Sequence, residues 1–264
     1  MDVIETDRPK PPPKRGVYIL PSALTTANIF FGFYAITSAL AGEFDNAAKG
    51  IGIAIVLDGL DGRIARLTGT TSKFGVQLDS LADAISFGIA PAVVLWQWHL
   101  SAYGYWGWIA CFTYLIGGVM RLARFNTQNP ELKHFLGLPI PAAAGCIAAL
   151  VHFVQKYGHW SFFQSHAFFF GLIGLTLILG IMMISTARYG SFKNFGFRGR
   201  IASRNILLMA LLLAGIWFFS HEVLLAFALV YFLSGIFGTI RRQIQQHGGL
   251  PAGKDDSKIP GIPD

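Results

Sequence analysis

Charge is what this sequence has least of. Asp, Glu, Lys and Arg make up 13% of its 264 residues, against about 25% in an ordinary soluble domain. Only 14 residues are acidic. A water-soluble fold of this length would lack the polar residues to cover its surface. Cysteine is scarce too: Cys111 and Cys146 are the only two, and both sit in apolar runs. That excludes a disulfide framework and a cysteine-based zinc site. The first 16 residues, MDVIETDRPKPPPKRG, contain no apolar stretch of the kind a signal peptide needs, so they read as a cytoplasmic tail. No internal repeat is present.

What the chain has instead is long apolar blocks, which also exclude a disordered chain. Windows long enough to cross about 30 Å of hydrocarbon recur from residue 20 onward. Eight are expected: 20–41, 46–68, 75–99, 104–124, 139–157, 162–187, 204–220 and 222–240. The fold class is therefore all-α, a polytopic transmembrane helical bundle with both termini cytoplasmic. Residues 1–17 form one tail, 18–242 the membrane domain and 243–264 a polar, disordered second tail. Basic residues favour the cytoplasmic side of membrane proteins, and this layout puts 19 of the 21 lysines and arginines there, all but Lys49 and Lys156. The net charge of +7 thus reports orientation and anionic lipid headgroups, not nucleic acid.

With so few acids, each position can be weighed. Ten lie in tails or loops. The other four, Asp58, Asp61, Asp79 and Asp83, lie within or at the ends of apolar windows, where a carboxylate is costly and marks function. Asp58 and Asp61 are three apart and Asp79 and Asp83 four apart, so each pair shares one helix face. The short turn TGTTSK joins the two helices and brings the pairs together. Four converging carboxylates need either arginine partners or bound cations. Hard oxygen donors with no nearby His or Cys select Mg²⁺, Mn²⁺ or Ca²⁺ over zinc. Two such ions would neutralise four charges, an arrangement suited to phosphoryl chemistry. Gly62 and Gly75 let a bulky ligand approach, while Gly59 and Gly69 read as helix-packing positions. Arg66, with Arg63 and Lys73, supplies positive charge for a pyrophosphate. The tryptophans and tyrosines around residues 96–108 read as an interfacial belt, and Phe162–Phe170 as lipid-facing bulk.

From Asp58 to Asp83 the sequence reads D-G-L-D-G-R-I-A-R, eight residues, then G-V-Q-L-D-S-L-A-D. This resembles the signature of the CDP-alcohol phosphatidyltransferases, D-x₂-D-G-x₂-A-R-x₈-G-x₃-D-x₃-D. All fixed positions match: Asp58, Asp61, Gly62, Ala65, Arg66, Gly75, Asp79 and Asp83. Further blocks are similar to the membrane-embedded, serine-accepting branch of that family: L-P-S-A-L-T-T-A-N in the first span, S-F-G-I-A-P-A after Asp83, R-L-A-R-F-N (Arg121 to Asn126) and G-L-P-I-P-A-A-A (Gly137 to Ala144).

The resemblance implies a six-helix core, leaving two extra spans here, and transfer of a phosphatidyl group from CDP-diacylglycerol to the hydroxyl of L-serine with release of CMP. It implies two divalent metal ions, Mg²⁺ or Mn²⁺, on Asp58, Asp61, Asp79 and Asp83, with Asp83 also taking the acceptor's proton. Candidates for the CDP-lipid site are Gly62, Ala65, Arg66, Ser72 and Gly75, closed by Thr25 and Asn28 from the first helix. Arg121, Arg124 and Asn126 are candidates for holding serine or a phosphate. Pro139 and Pro141 are expected to shape a helix entry. A homodimer in the cytoplasmic (inner) membrane, with its site facing the cytoplasm, is the implied assembly. Other alcohol acceptors (glycerol phosphate, inositol phosphate, choline) remain open, as do a membrane prenyltransferase and a divalent-cation transporter.

Overall fold

The structure, a computed structural model, describes residues 19–68, 72–127, 137–185, 222–226 and 228–230. Every regular element among them is helical. In chain order these are α1 (Ile19–Leu40), α2 (Phe44–Thr68), α3 (Lys73–Asp83), a π-helical turn (Ala84–Ile89), α4 (Ala90–Trp98), α5 (Tyr105–Thr127), α6 (Ile140–Tyr157) and α7 (His166–Ile184), with short 3₁₀ turns before α5 and α7. Helix α3, the π turn and α4 run on as one rod.

Five segments are long and apolar enough to cross a membrane: Ser22–Leu40, Lys73–Trp98, Tyr105–Thr127, Ile140–Tyr157 and His166–Ile184. They fall on five of the expected windows. The window 46–68 is helical throughout as α2 but is not among the five. Lys49, Asp58, Asp61 and Arg63 lie along it, and charge, not length, sets it apart. Of the last two expected spans, 204–220 lies outside the described residues, and 222–240 is described only at 222–226 and 228–230, which are helical. Both tails, Gly69 and the Arg66 side chain also lie outside.

Helix α1 packs most extensively on α2 and also touches α3, the π turn and α4. The two are joined by a tight turn in which Gly42 adopts φ +79° and the Glu43 N–H reaches back to Ser38 O at 2.8 Å. That left-handed cap favours glycine. Helix α5 packs along α7, and α6 along α2. The α5–α7 approach is backbone to backbone: a Cβ placed on Gly117 would stand 2.4 Å from Gly180 O. Small residues at such crossings are how helices pack where water gives no driving force. The core includes Phe87, Leu95, Tyr114, Leu138, Ile140, Ile147, Leu179 and Met183, all fully or almost fully buried. Pro139 caps α6 and Pro141 sits in its first turn, where a missing N–H leaves no bond unmade.

Three expectations change. Gly59 is exposed, and an added Cβ there would meet nothing within 4 Å, so it packs against no neighbour among the described residues. Of the residues expected in an interfacial belt, Tyr105, Trp106 and Trp108 are exposed, but Trp98 is buried. The Phe162–Phe170 run is only partly lipid-facing. The 3₁₀ turn at Ser161–Gln164 and the Ser165 cap fold it back, so that Phe168 meets Trp98 and Phe169 meets His99 and Tyr103. One polar cluster was not expected. Asp45, in the first turn of α2, accepts from buried His152 of α6 at 2.5 Å and pairs with Lys49 at 2.7 Å.

Candidate functional site

Helix α3 starts at Ser72, whose Oγ accepts the Gly75 N–H at 2.9 Å. This cap holds α3 against α1 and opposite the second half of α2, and the aspartates converge there. One carboxylate oxygen from each of Asp58, Asp61 and Asp79 lies within 4.8 Å of the others. Two oxygens on opposite sides of one Mg²⁺ or Ca²⁺, each at about 2.0–2.6 Å, stand about 4.0–5.2 Å apart, so these three fall within the span a single divalent ion bridges. Asp83 adjoins the group, its carboxyl within hydrogen-bonding reach of Asp58.

The site is held from behind. Asp61 is only 3% exposed, and it accepts a hydrogen bond from buried Thr25 Oγ1 at 3.0 Å and another from the Gly62 N–H. Asp79 Oδ1 and Asp83 Oδ1 are buried without a hydrogen-bond partner. Among the described residues no Lys or Arg forms an ion pair with any of the four aspartates. Like charges packed this closely disfavour ionisation unless a cation lies between them. Hard, clustered, partly unpartnered oxygens are the donor set of a divalent-cation site, and the residues present fit one.

The other expected site residues fall around this centre in different ways. Asn28, one turn beyond Thr25, is fully buried with neither end of its side-chain amide hydrogen-bonded. Gly62 and Ala65 are half-buried on α2, Gly75 is half-buried on α3, and Ser72 is exposed and serves as the helix cap. Arg121 is half-buried on α5. Arg124 points away to the end of α7, where Nη1 donates to Ile184 O at 2.9 Å. Asn126 turns toward α3: its Nδ2 lies 2.9 Å and its Oδ1 3.2 Å from Ser80 Oγ. It thus touches the residue next to Asp79.

The family model for CDP-alcohol phosphatidyltransferase matches residues 18–182, well over half of the chain. The chain belongs to this family. Among similar curated proteins, the CDP-diacylglycerol–serine O-phosphatidyltransferase of Helicobacter pylori (strain J99) is 35% identical over 226 residues, covering 85% of this chain and 92% of that protein. The protein of the same name from Methanocaldococcus jannaschii is 32% identical over 229 residues, 86% and 97% of the two chains. That of Mycobacterium bovis is 38% identical over 185 residues, 66% and 64%. Within this CDP-alcohol phosphatidyltransferase, the matched stretch runs from α1 into α7 and contains the whole aspartate cluster.

Sequence reasoning missed two features of the site. One is the Ser80–Asn126 contact, which joins residues 46 apart. The other is the π-helical turn directly after Asp83. Its only sequence signal is Pro91, four residues beyond Phe87.

Proposed function

We propose that this protein transfers the phosphatidyl group of CDP-diacylglycerol to the hydroxyl of L-serine, giving phosphatidylserine and CMP. The observation that carries this reading is the aspartate cluster itself, with Asp61 buried and Asp58, Asp79 and Asp83 half-buried, without basic partners among the described residues, and built from the family's fixed positions. The names of the similar curated proteins support serine as the acceptor.

Asp58, Asp61, Asp79 and Asp83 would hold two divalent ions, Mg²⁺ or Mn²⁺, which when bound supply charge neutralisation for the pyrophosphate. Thr25 orients Asp61 from behind. The serine oxygen attacks the β-phosphorus, and a new O–P bond forms as the bond to the CMP oxygen breaks. An alcohol is too weak an acid to ionise at neutral pH, so its proton passes to Asp83 during attack. Gly62, Ala65, Arg66, Ser72 and Gly75 border the CDP moiety from α2 and α3, with Thr25 and Asn28 closing it from α1. Arg121 is suited to meet the serine carboxylate or the lipid phosphate. Asn126, on Ser80 beside Asp79, and Arg124, at the end of α7, are the other two candidates on α5 for holding serine or a phosphate. The protein would lie in the cytoplasmic (inner) membrane as a homodimer, with this site facing the cytoplasm.

The test is CMP release. Purified protein in detergent is given CDP-diacylglycerol, Mn²⁺ or Mg²⁺, and serine, glycerol phosphate, inositol phosphate or choline in turn. CMP is expected with serine. CMP with another alcohol alone would overturn the acceptor, and no CMP with any would overturn the reaction and leave ion transport as the reading to test.

A further inference from the structure

Asp83 is the last residue of α3, and the helix changes form at the next one. From Ala84 to Ile89 the turn is wide: the Ala90 N–H bonds to Ile85 O, five residues back instead of four. The sequence accounts for this. Pro91 has no N–H to give Phe87 O, and its ring crowds that carbonyl, four residues earlier. The backbone therefore opens by about one residue, roughly 100° of helical phase, between α3 and α4. Without that offset, the face of α3 carrying Asp79 and Asp83 would point elsewhere while α4 kept its place in the core.

A carbonyl freed inside an apolar core needs a donor, and one is supplied from α5. Tyr114 Oη donates to Phe87 O at 2.8 Å. Tyr114 is 0% exposed and heads the fully buried side chains by volume. Phenylalanine would fill the same space, so the hydroxyl's distinct contribution is this bond. A second tie comes from α1, where Ser86 Oγ donates to Asn28 O at 3.0 Å. The two backbones touch there: a Cβ on Gly32 would stand 2.3 Å from Ser86 Oγ.

We propose that Tyr114 is a positioning residue of the transferase, holding the widened turn whose phase aims Asp83 and Asp79 into the metal-binding cluster. The proposal rests on the reaction assigned above. Tyr114 touches no reacting atom and acts only through the Phe87 carbonyl. Displacement of a catalytic group by an ångström through such a route can lower the rate by about two decades.

The test compares Tyr114→Phe with Tyr103→Phe, which loses an equivalent hydroxyl, bonded to His166 Nδ1, away from α3. Both variants are purified in detergent and measured for CMP release, for melting temperature and, without lipid, for Mn²⁺ binding by electron paramagnetic resonance. Tyr114→Phe is expected to lower kcat at least about ten-fold, to leave KM for both substrates within about two-fold, and to weaken Mn²⁺ binding. Tyr103→Phe is expected to match wild type in kcat and Mn²⁺ affinity. Wild-type kcat and Mn²⁺ affinity in folded Tyr114→Phe would overturn the proposal, even if its melting temperature fell. If that variant does not fold, Ser86→Ala decides: it loosens the same turn from the α1 side and must show the same pattern. Failure of wild type to release CMP would refute the reaction, and the Mn²⁺ comparison would still test the positioning.

Discussion

Thr25→Val isolates the support behind the aspartate cluster and tests the metal site proposed there. Valine keeps the shape and the β-branch of threonine and removes only the hydroxyl that donates to Asp61 Oδ2 at 3.0 Å. Both groups are buried, so water cannot easily replace the donor. Asp61 keeps the Gly62 N–H and loses one of these two orienting bonds. A hydrogen bond to a charged group is worth about 1.5–3 kcal/mol, which corresponds to roughly one to two decades in an equilibrium constant. Loss of an outer partner of a metal ligand lowers metal affinity by a similar 10–100-fold. The expected outcome is a rise of about ten-fold or more in the Mn²⁺ concentration giving half-maximal CMP release. Activity should return toward wild type at saturating metal, and Thr25→Ser, which keeps the hydroxyl, should stay close to wild type. A midpoint within two-fold of wild type in the valine variant would refute the orienting role. A raised KM for CDP-diacylglycerol with an unchanged metal midpoint would put the Thr25 hydroxyl on the lipid instead.

Other positions give equally direct expectations. Asp83→Asn should abolish CMP release while CDP-diacylglycerol still binds, as read by a filter or thermal-shift assay; turnover near wild type would remove Asp83 as the proton acceptor. Gly117→Ala should lower the melting temperature clearly more than Gly171→Ala, because an added Cβ meets Gly180 O at 2.4 Å in the first case and nothing within 4 Å in the second. His152→Leu removes the buried partner of Asp45, which keeps its Lys49 ion pair, at the far end of α2, 13 residues and about 20 Å from Asp58. It should cost about 1–3 kcal/mol of stability and leave kcat unchanged when measured on the folded fraction.

The aspartate cluster was legible in sequence because helical periodicity alone places Asp58 with Asp61 and Asp79 with Asp83, and a short turn does the rest. The helix entries at Pro139 and Pro141 were legible for a similar local reason: proline has few tolerated places in a helix. What could not be read depends on which helices become neighbours. Asp45 and His152 are 107 residues apart, and nothing local in either window names the other. The Arg124 guanidinium donates to Ile184 O at the end of α7, a contact set by the α5–α7 crossing. The inward turn of Phe168 depends on a 3₁₀ turn and a serine cap that hydropathy does not register. Pro91 was visible, but its effect on the phase of the preceding helix only becomes clear once Tyr114 is seen against Phe87 O.

The polarity of α2 bears on how the protein is made. Each Asp, Lys or Arg at the centre of a helix opposes entry into the bilayer by about 2.5–3.5 kcal/mol, and α2 carries Lys49, Asp58, Asp61 and Arg63 along its length. On its own it would be a poor substrate for the insertion machinery. Its most extensive packing partner is α1, which reaches it through a three-residue turn. The pair is therefore expected to enter the membrane as a hairpin, with α1 drawing α2 in. A charge introduced on the lipid side of α1 would then act on biogenesis first: the chain would be degraded before its aspartate cluster was ever assembled.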